Sequence, residues 1–193
     1  MVAAATLHAF STEMLVGSMT FSVVATVLCF AESMFEKVGE RAQKGLDHAA
    51  YFAAIFALCC IPIVAITGNA AGDASSSPVL VNKMLLSGLC LGLWIGVILG
   101  RKTWGPEMWS NRKMGLVHTG FVCAGYTTAA MLGSIGSVMT RGETVGDLFG
   151  IWPHFDNAPS ISFGLSMVLF VLSLTALLVV IFVQPKSEVE LNL

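Results

Sequence analysis

Five apolar stretches, Met14–Ala31, Ala49–Thr67, Leu80–Gly100, Leu116–Val138 and Ser162–Val183, dominate this sequence. Each is close to the roughly 20 residues that a helix needs to cross the hydrocarbon of a bilayer. In hydrocarbon every backbone N–H and C=O must find its partner within the protein, which leaves helices or closed barrels as the spanning structures. The pattern therefore predicts an all-α integral membrane bundle of five transmembrane helices, a single domain over residues 1–193. Composition agrees, since 55% of the 193 residues are apolar and 11% charged, whereas soluble domains carry roughly a quarter charged residues. The fourth stretch is the least apolar, but its polar residues are small ones, which bundle interiors accept. Nothing before Glu13 breaks a helix, so the first span is free to begin near Ala4.

Basic residues orient the bundle. Lys37, Arg41, Lys44, Arg101, Lys102, Arg112, Lys113 and Lys186 fall on one side of the five-span arrangement, and Arg141 and the membrane-edge Lys83 on the other. The positive-inside rule then puts the N-terminus outside and the C-terminus in the cytoplasm. Met1–Leu7 has no positive n-region of the kind a cleaved signal peptide carries. The expected location is the cell membrane, multi-pass, of a prokaryotic type. Glu32–Asp47 and Thr103–Met114 read as cytoplasmic connections, and Gly68–Pro78 as a short outer turn. Thr140–Ser160, the longest outer segment, is acidic and contains Trp152-Pro153-His154-Phe155, a pattern suited to the membrane interface.

Small residues recur at helical spacing. Gly88, Gly92, Gly96 and Gly100 lie four apart and strip one ridge of the third span of side chains. Gly125, Ala129, Gly133 and Ser137 form a second ridge, on the face of His118. Such ridges let helices approach closely where lipid tails give them no hydrophobic reason to associate; they also leave room for a porphyrin or quinone ring. Ser18, Ser22 and Thr26 form a polar-small stripe on the first span, suited to hydrogen bonds between helices. Pro62 is placed to kink the second span.

Charged groups at membrane depth each need a partner or a use. Glu13 and Lys83, near the outer edge of spans one and three, are candidates for a mutual salt bridge, for contact with headgroups, or for a proton or ligand role. The histidines offer more chemistry. Two imidazoles at similar depth on facing helices can hold a haem iron. His48, before span two, and His118, in the first turn of span four, share the cytoplasmic side; His8 and His154 share the outer side. His48, His118 and His8 are thus the candidate haem b ligands. Open alternatives are hydration of His48 beside Asp47 and a hydrogen bond from His118 to a neighbouring helix.

Other chemistries are excluded by what the sequence lacks. The five cysteines (Cys29, Cys59, Cys60, Cys90 and Cys123) all fall in apolar stretches without CxxC or CxxH spacing, so no zinc, iron–sulfur or covalent c-type haem motif is present. The ten methionines are dispersed, without a copper-binding pattern. A net charge of −2 without a basic stripe gives no nucleic-acid footprint. No nucleophile elbow, phosphate loop or HExxH occurs, so no self-contained hydrolase or nucleotide enzyme is indicated.

His8-Ala9-Phe10-Ser11-Thr12-Glu13-Met14 resembles the H-P-x-x-V-H-F-P-like entry to the first helix in a family of small, uncharacterised prokaryotic membrane proteins. The similarity continues through Ala49-Ala50-Tyr51-Phe52-Ala53, Ile66-Thr67-Gly68 and Lys83, covering roughly Leu7–Lys102. Ala9 stands for the family's proline, Glu13 for its second histidine and Met14-Leu15 for its Phe-Pro, so His8 is the one residue matching a candidate ligand. The resemblance implies haem binding or company with redox proteins. The expected function is accordingly a small, non-catalytic membrane subunit of an electron-transfer complex of the respiratory type. It would anchor redox partners in the lipid, hold haem b or another tetrapyrrole between spans two and four, and take a quinone as a further partner. The alternatives are a cofactor-free structural subunit docking on larger partner helices, and a small transporter that uses Glu13, Lys83 and the acidic outer loop.

Overall fold

The computed structural model of the chain describes residues 3–35, 39–71 and 78–143, with the isolated positions 147, 168 and 171. It contains four long helices, α1 (Ala4–Phe35), α2 (Glu40–Ala71), α3 (Pro78–Trp104) and α4 (Arg112–Arg141). A single turn of 3-10 helix, Pro106–Ser110, connects α3 to α4. All four long helices are of a length and apolarity sufficient to cross a membrane. The fourth has the lowest mean hydropathy in its apolar window, 1.3 against 2.5 for α2, as its small polar residues predict. The fifth expected span, Ser162–Val183, lies outside the described residues apart from Val168 and Val171, which are helical and exposed. It belongs to a separate compact unit, Pro159–Leu193; the four helices belong to the unit Met1–Ala158.

The helices run further than the apolar stretches. At 1.5 Å per residue, the 32 residues of α1 or of α2 measure about 48 Å, well beyond the roughly 30 Å of hydrocarbon. α1 starts at Ala4, as the absence of an early breaker allows. Of Glu32–Asp47, expected as a charged connection, residues 32–35 belong to the last turn of α1 and residues 40–47 to the start of α2. Two local devices permit this. Gly39 sits at φ +91°, a left-handed conformation that costs glycine nothing. Its N–H donates to the buried Glu32 carboxylate at 2.7 Å, which places an acid at the start of α2. α2 passes through Pro62 as one continuous helix. At α4, Asn111 Oδ1 accepts from the N–H groups of Lys113 and Met114 at 3.0 and 3.4 Å, and Gly142 (φ +77°) closes the far end.

Neighbouring helices are antiparallel. Along α1 and α2, Cys29 meets Gln43, Ser22 meets Ala50 and His8 meets Val64. Along α3 and α4, Cys90 Sγ lies 3.8 Å from the Gly125 carbonyl oxygen. The bundle thus gathers Arg41, Lys44, Arg101, Lys102, Arg112 and Lys113 at one end, called here the cationic end. Between the ends, Met19, Ala54, Ala57, Cys90, Trp94, Val97 and Val122 form one core to which all four helices contribute. Buried alanines of α2 face the small residues of α1, and Ser22 Oγ donates across the gap to the Ala50 carbonyl at 2.9 Å. Ser18 instead bonds back to its own helix at Met14 and Leu15, so among the described residues the direct hydrogen bond from the expected polar stripe to another helix is that of Ser22.

The glycine ridges divide. A side chain at Gly96 would touch Phe121, and one at Gly100 would touch Trp104 and His118. Gly125 is occluded by Trp94, whose Nε1 stands 3.1 Å from where a Cβ would sit. Ala129 packs against the core. Gly88, Gly92 and Gly133 meet nothing within 4 Å among the described residues and are exposed. The third-span ridge is therefore a packing surface in its second half and a bare apolar step in its first.

Gly125→Leu is expected to lower thermal stability in detergent by about 1–3 kcal/mol through overpacking against Trp94. Gly120→Leu, on the same helix with nothing within 4 Å, serves as the control and should leave the unfolding midpoint unchanged.

Candidate functional site

Helical extension past residue 47 carries one carboxylate into the protein. Asp47 is 2% exposed and lies one helical turn before Tyr51 on α2. Opposite it, the last turn of α3 ends in two cations. Lys102 points outward, while Arg101 turns in, its side chain 11% exposed. The guanidinium meets the carboxylate as a fork: Nε donates to Oδ1 at 2.8 Å and Nη2 to Oδ2. Oδ1 also accepts the indole N–H of Trp109, again at 2.8 Å. The Tyr51 ring lies 5.7 Å from the guanidinium carbon and adds a cation–π contact.

The connection from α3 to α4 delivers Trp109. Gly105, at φ +66°, lets the chain turn away from α3, and Pro106 starts the short 3-10 helix. That turn buries Met108 and Trp109 against Cys29, with Phe30, Leu46 and Met114 around them. α4 then begins at Arg112 and brings His118 into the same place. His118 is 5% exposed, and its ring meets Trp109 edge-on with centroids 5.9 Å apart. A small cavity remains among Thr26, Asp47, Tyr51, Arg101, Trp109 and His118, about 10 Å³ in volume.

The arrangement has clear chemical consequences. A buried charge without a partner is expensive, and here each charge has one in bidentate geometry, the strongest form of such contacts. Asp47 joins α2, α3 and the 3-10 turn through three hydrogen bonds. This fixes the register of those elements at the cationic end.

The expected ligand histidines are placed apart. His118 is buried in this cluster. His48, one residue beyond Asp47, is exposed, and its Nδ1–H donates to the Lys44 carbonyl at 2.7 Å. His8 is at the opposite end, half-buried, its Nδ1 3.1 Å from the Val64 carbonyl oxygen and 3.3 Å from Thr67 Oγ1. Its ring lies over Gly68, where a Cβ would come within 2.8 Å of Cε1. The two candidate ligands at the cationic end therefore have different surroundings, His118 among the buried ion pair and Trp109 and His48 at the surface of α2. Beside His118 the ion pair and Trp109 leave the cavity of about 10 Å³. His154 lies outside the described residues. Among the described residues no group of three or more His, Cys, Asp or Glu is gathered for a metal.

Glu13 is exposed, and the described residues include no Glu13–Lys83 ion pair. Lys83 is half-buried, with Nζ beside Gly136 on α4.

Asp47, Arg101 and Trp109 were not legible as a group in the sequence. Asp47 and Arg101 stand 54 positions apart, each among other charges near a helix end. The one signal was Gly100 of the third-span ridge, next to Arg101 in sequence, where a Cβ would stand 3.8 Å from the His118 ring. Compared with known protein families, curated proteins and solved structures, the chain matches none.

Asp47→Asn or Arg101→Met should each destabilise the bundle by about 3–5 kcal/mol, because each strands one buried partner. The double variant Asp47→Leu with Arg101→Met removes both charges and should recover much of that loss. Thermal unfolding in detergent micelles compares them, and strictly additive losses would contradict the pairing.

Proposed function

We propose that this chain is a small integral membrane subunit that works as a scaffold in a larger membrane complex. The electron-transfer class is the one its first-span resemblance suggests. In this reading the four helices cross the cell membrane with the N-terminus outside, and the apolar stretch Ser162–Val183 is a fifth crossing that leaves the C-terminus in the cytoplasm. The cationic end then faces the cytoplasm, in accord with the positive-inside rule.

The observation that carries the scaffold reading is the Asp47–Arg101–Trp109 lock. It fills the interior at the depth where a redox cofactor was expected and spends the ionisable residues there on holding helices together. Contact with partners then falls to the outer surface. There α3 offers the bare step of Gly88 and Gly92 flanked by exposed Met84, Leu89 and Leu91. A transmembrane helix from a partner can approach such a step closely enough for backbone contact.

Purification of a tagged chain from native membranes in mild detergent tests this directly. Redox proteins are expected to accompany the wild-type chain and to be depleted by Gly88→Leu combined with Gly92→Leu, while Gly120→Leu retains them. Purification of the wild-type chain without companions, or a Soret band that disappears on His118→Ala, contradicts the scaffold reading.

A further inference from the structure

The cavity at the cationic end has a wall that is polar and incompletely satisfied. Thr26 is 1% exposed and His118 5% exposed, and both border it. Most buried threonines of this bundle, such as Thr119 and Thr128, turn the hydroxyl back to a carbonyl four residues earlier. Among the described residues Thr26 makes no such bond, and no hydrogen bond reaches either ring nitrogen of His118. Unlike Trp94 Nε1, which is fully enclosed, the polar atoms of these two residues keep access to the cavity they line, and a polar group that faces such a space without a protein partner is satisfied by water. The cavity, about 10 Å³, is also at the lower limit of the space that admits one water. Apolar cavities of this size stay dry; a polar one with two to four partners does not.

We propose that this cavity is a binding site for a single water molecule, held between the Thr26 hydroxyl and a ring nitrogen of His118 and lying against the Asp47–Arg101 pair. Water suits the place because it donates and accepts at once, as a hydroxyl facing an imidazole requires. It ties α1 and α4 to the ion pair of α2 and α3, so the four helices share one hydrogen-bonded unit. Trp109 is its cover. It is the one wall residue placed on a connection instead of a long helix, and the indole N–H bonded to Asp47 holds it shut. The site stands independently of partner subunits, and its test does not require them.

Water-edited solid-state NMR on ¹⁵N-labelled full-length protein in lipid bilayers reads it out. Polarisation from water is expected to reach the His118 ring and the Trp109 indole. It should not reach Trp94, whose indole is fully buried in the core and has no partner there. Thr26→Val, of nearly the same shape, should abolish transfer to His118 while leaving the Trp109 indole shift in place, and Thr26→Ser should retain the transfer. Trp109→Ala should keep the water and hasten its exchange with deuterium oxide. A His118 ring as dry as Trp94 in the wild-type protein overturns the proposal, as does a His118 signal indifferent to Thr26→Val. Unchanged exchange in Trp109→Ala overturns the role of the indole as cover.

Discussion

A carboxylate removed from water organises the cationic end of this bundle. Asp47 cannot stay charged in the interior unless other groups replace its hydration, and Arg101 and Trp109 do so with three hydrogen bonds from two different parts of the chain. Once those bonds are required, much else follows. α2 must remain helical back to Glu40 so that residue 47 points inward. α3 must end with Arg101 at the matching depth. The link to α4 must return sharply at Gly105 to present Trp109. A buried ion pair is not a strong source of stability by itself, because desolvation offsets the attraction. Its contribution here is specificity of register among helices whose apolar faces would otherwise slide.

The remainder of the bundle relies on close packing. In a bilayer apolar side chains would gain little by leaving lipid for one another, and the helices of this bundle meet where side chains are small or interlock tightly. Ala50 of α2 lies against Ser22 of α1, Ala54 and Ala57 join Met19 and Trp94 in the shared core, and Gly125 of α4 accepts the edge of Trp94 from α3. Polar contacts fasten both ends of the α1–α2 pair. His8, Ser11 and Thr67 meet at one end, and Glu32, Gly39, Cys29 and Gln43 at the other. Each contact pairs polar groups within the bundle.

The location of His118 changes what the histidines mean. As one of a facing pair it would suggest an iron site; as a lone imidazole beside a salt-bridged aspartate it belongs to a polar interior. Chemistry that depends on two residues meeting is decided by rotation about the helix axis. His48 and Asp47 are neighbours in sequence, yet a turn of about 100° per residue sends one to the surface and the other to the core. The scaffold reading and the bound-water site both derive from that division.

Length and apolarity were enough for the sequence to mark out four helices long enough to cross a membrane, because long apolar runs without breakers favour one continuous helix. The small-residue spacing likewise marked Gly96, Gly100 and Gly125 as places of contact, since residues four apart share a face in any helix. Tertiary structure alone decided which charges turn inward. Asp47, Arg101 and Trp109 come from separate elements, and no local pattern distinguishes Arg101 from Lys102 or Asp47 from the acids around it. Local periodicity records which way a helix faces, but the identity of a side chain's distant partner exists only once the helices are packed.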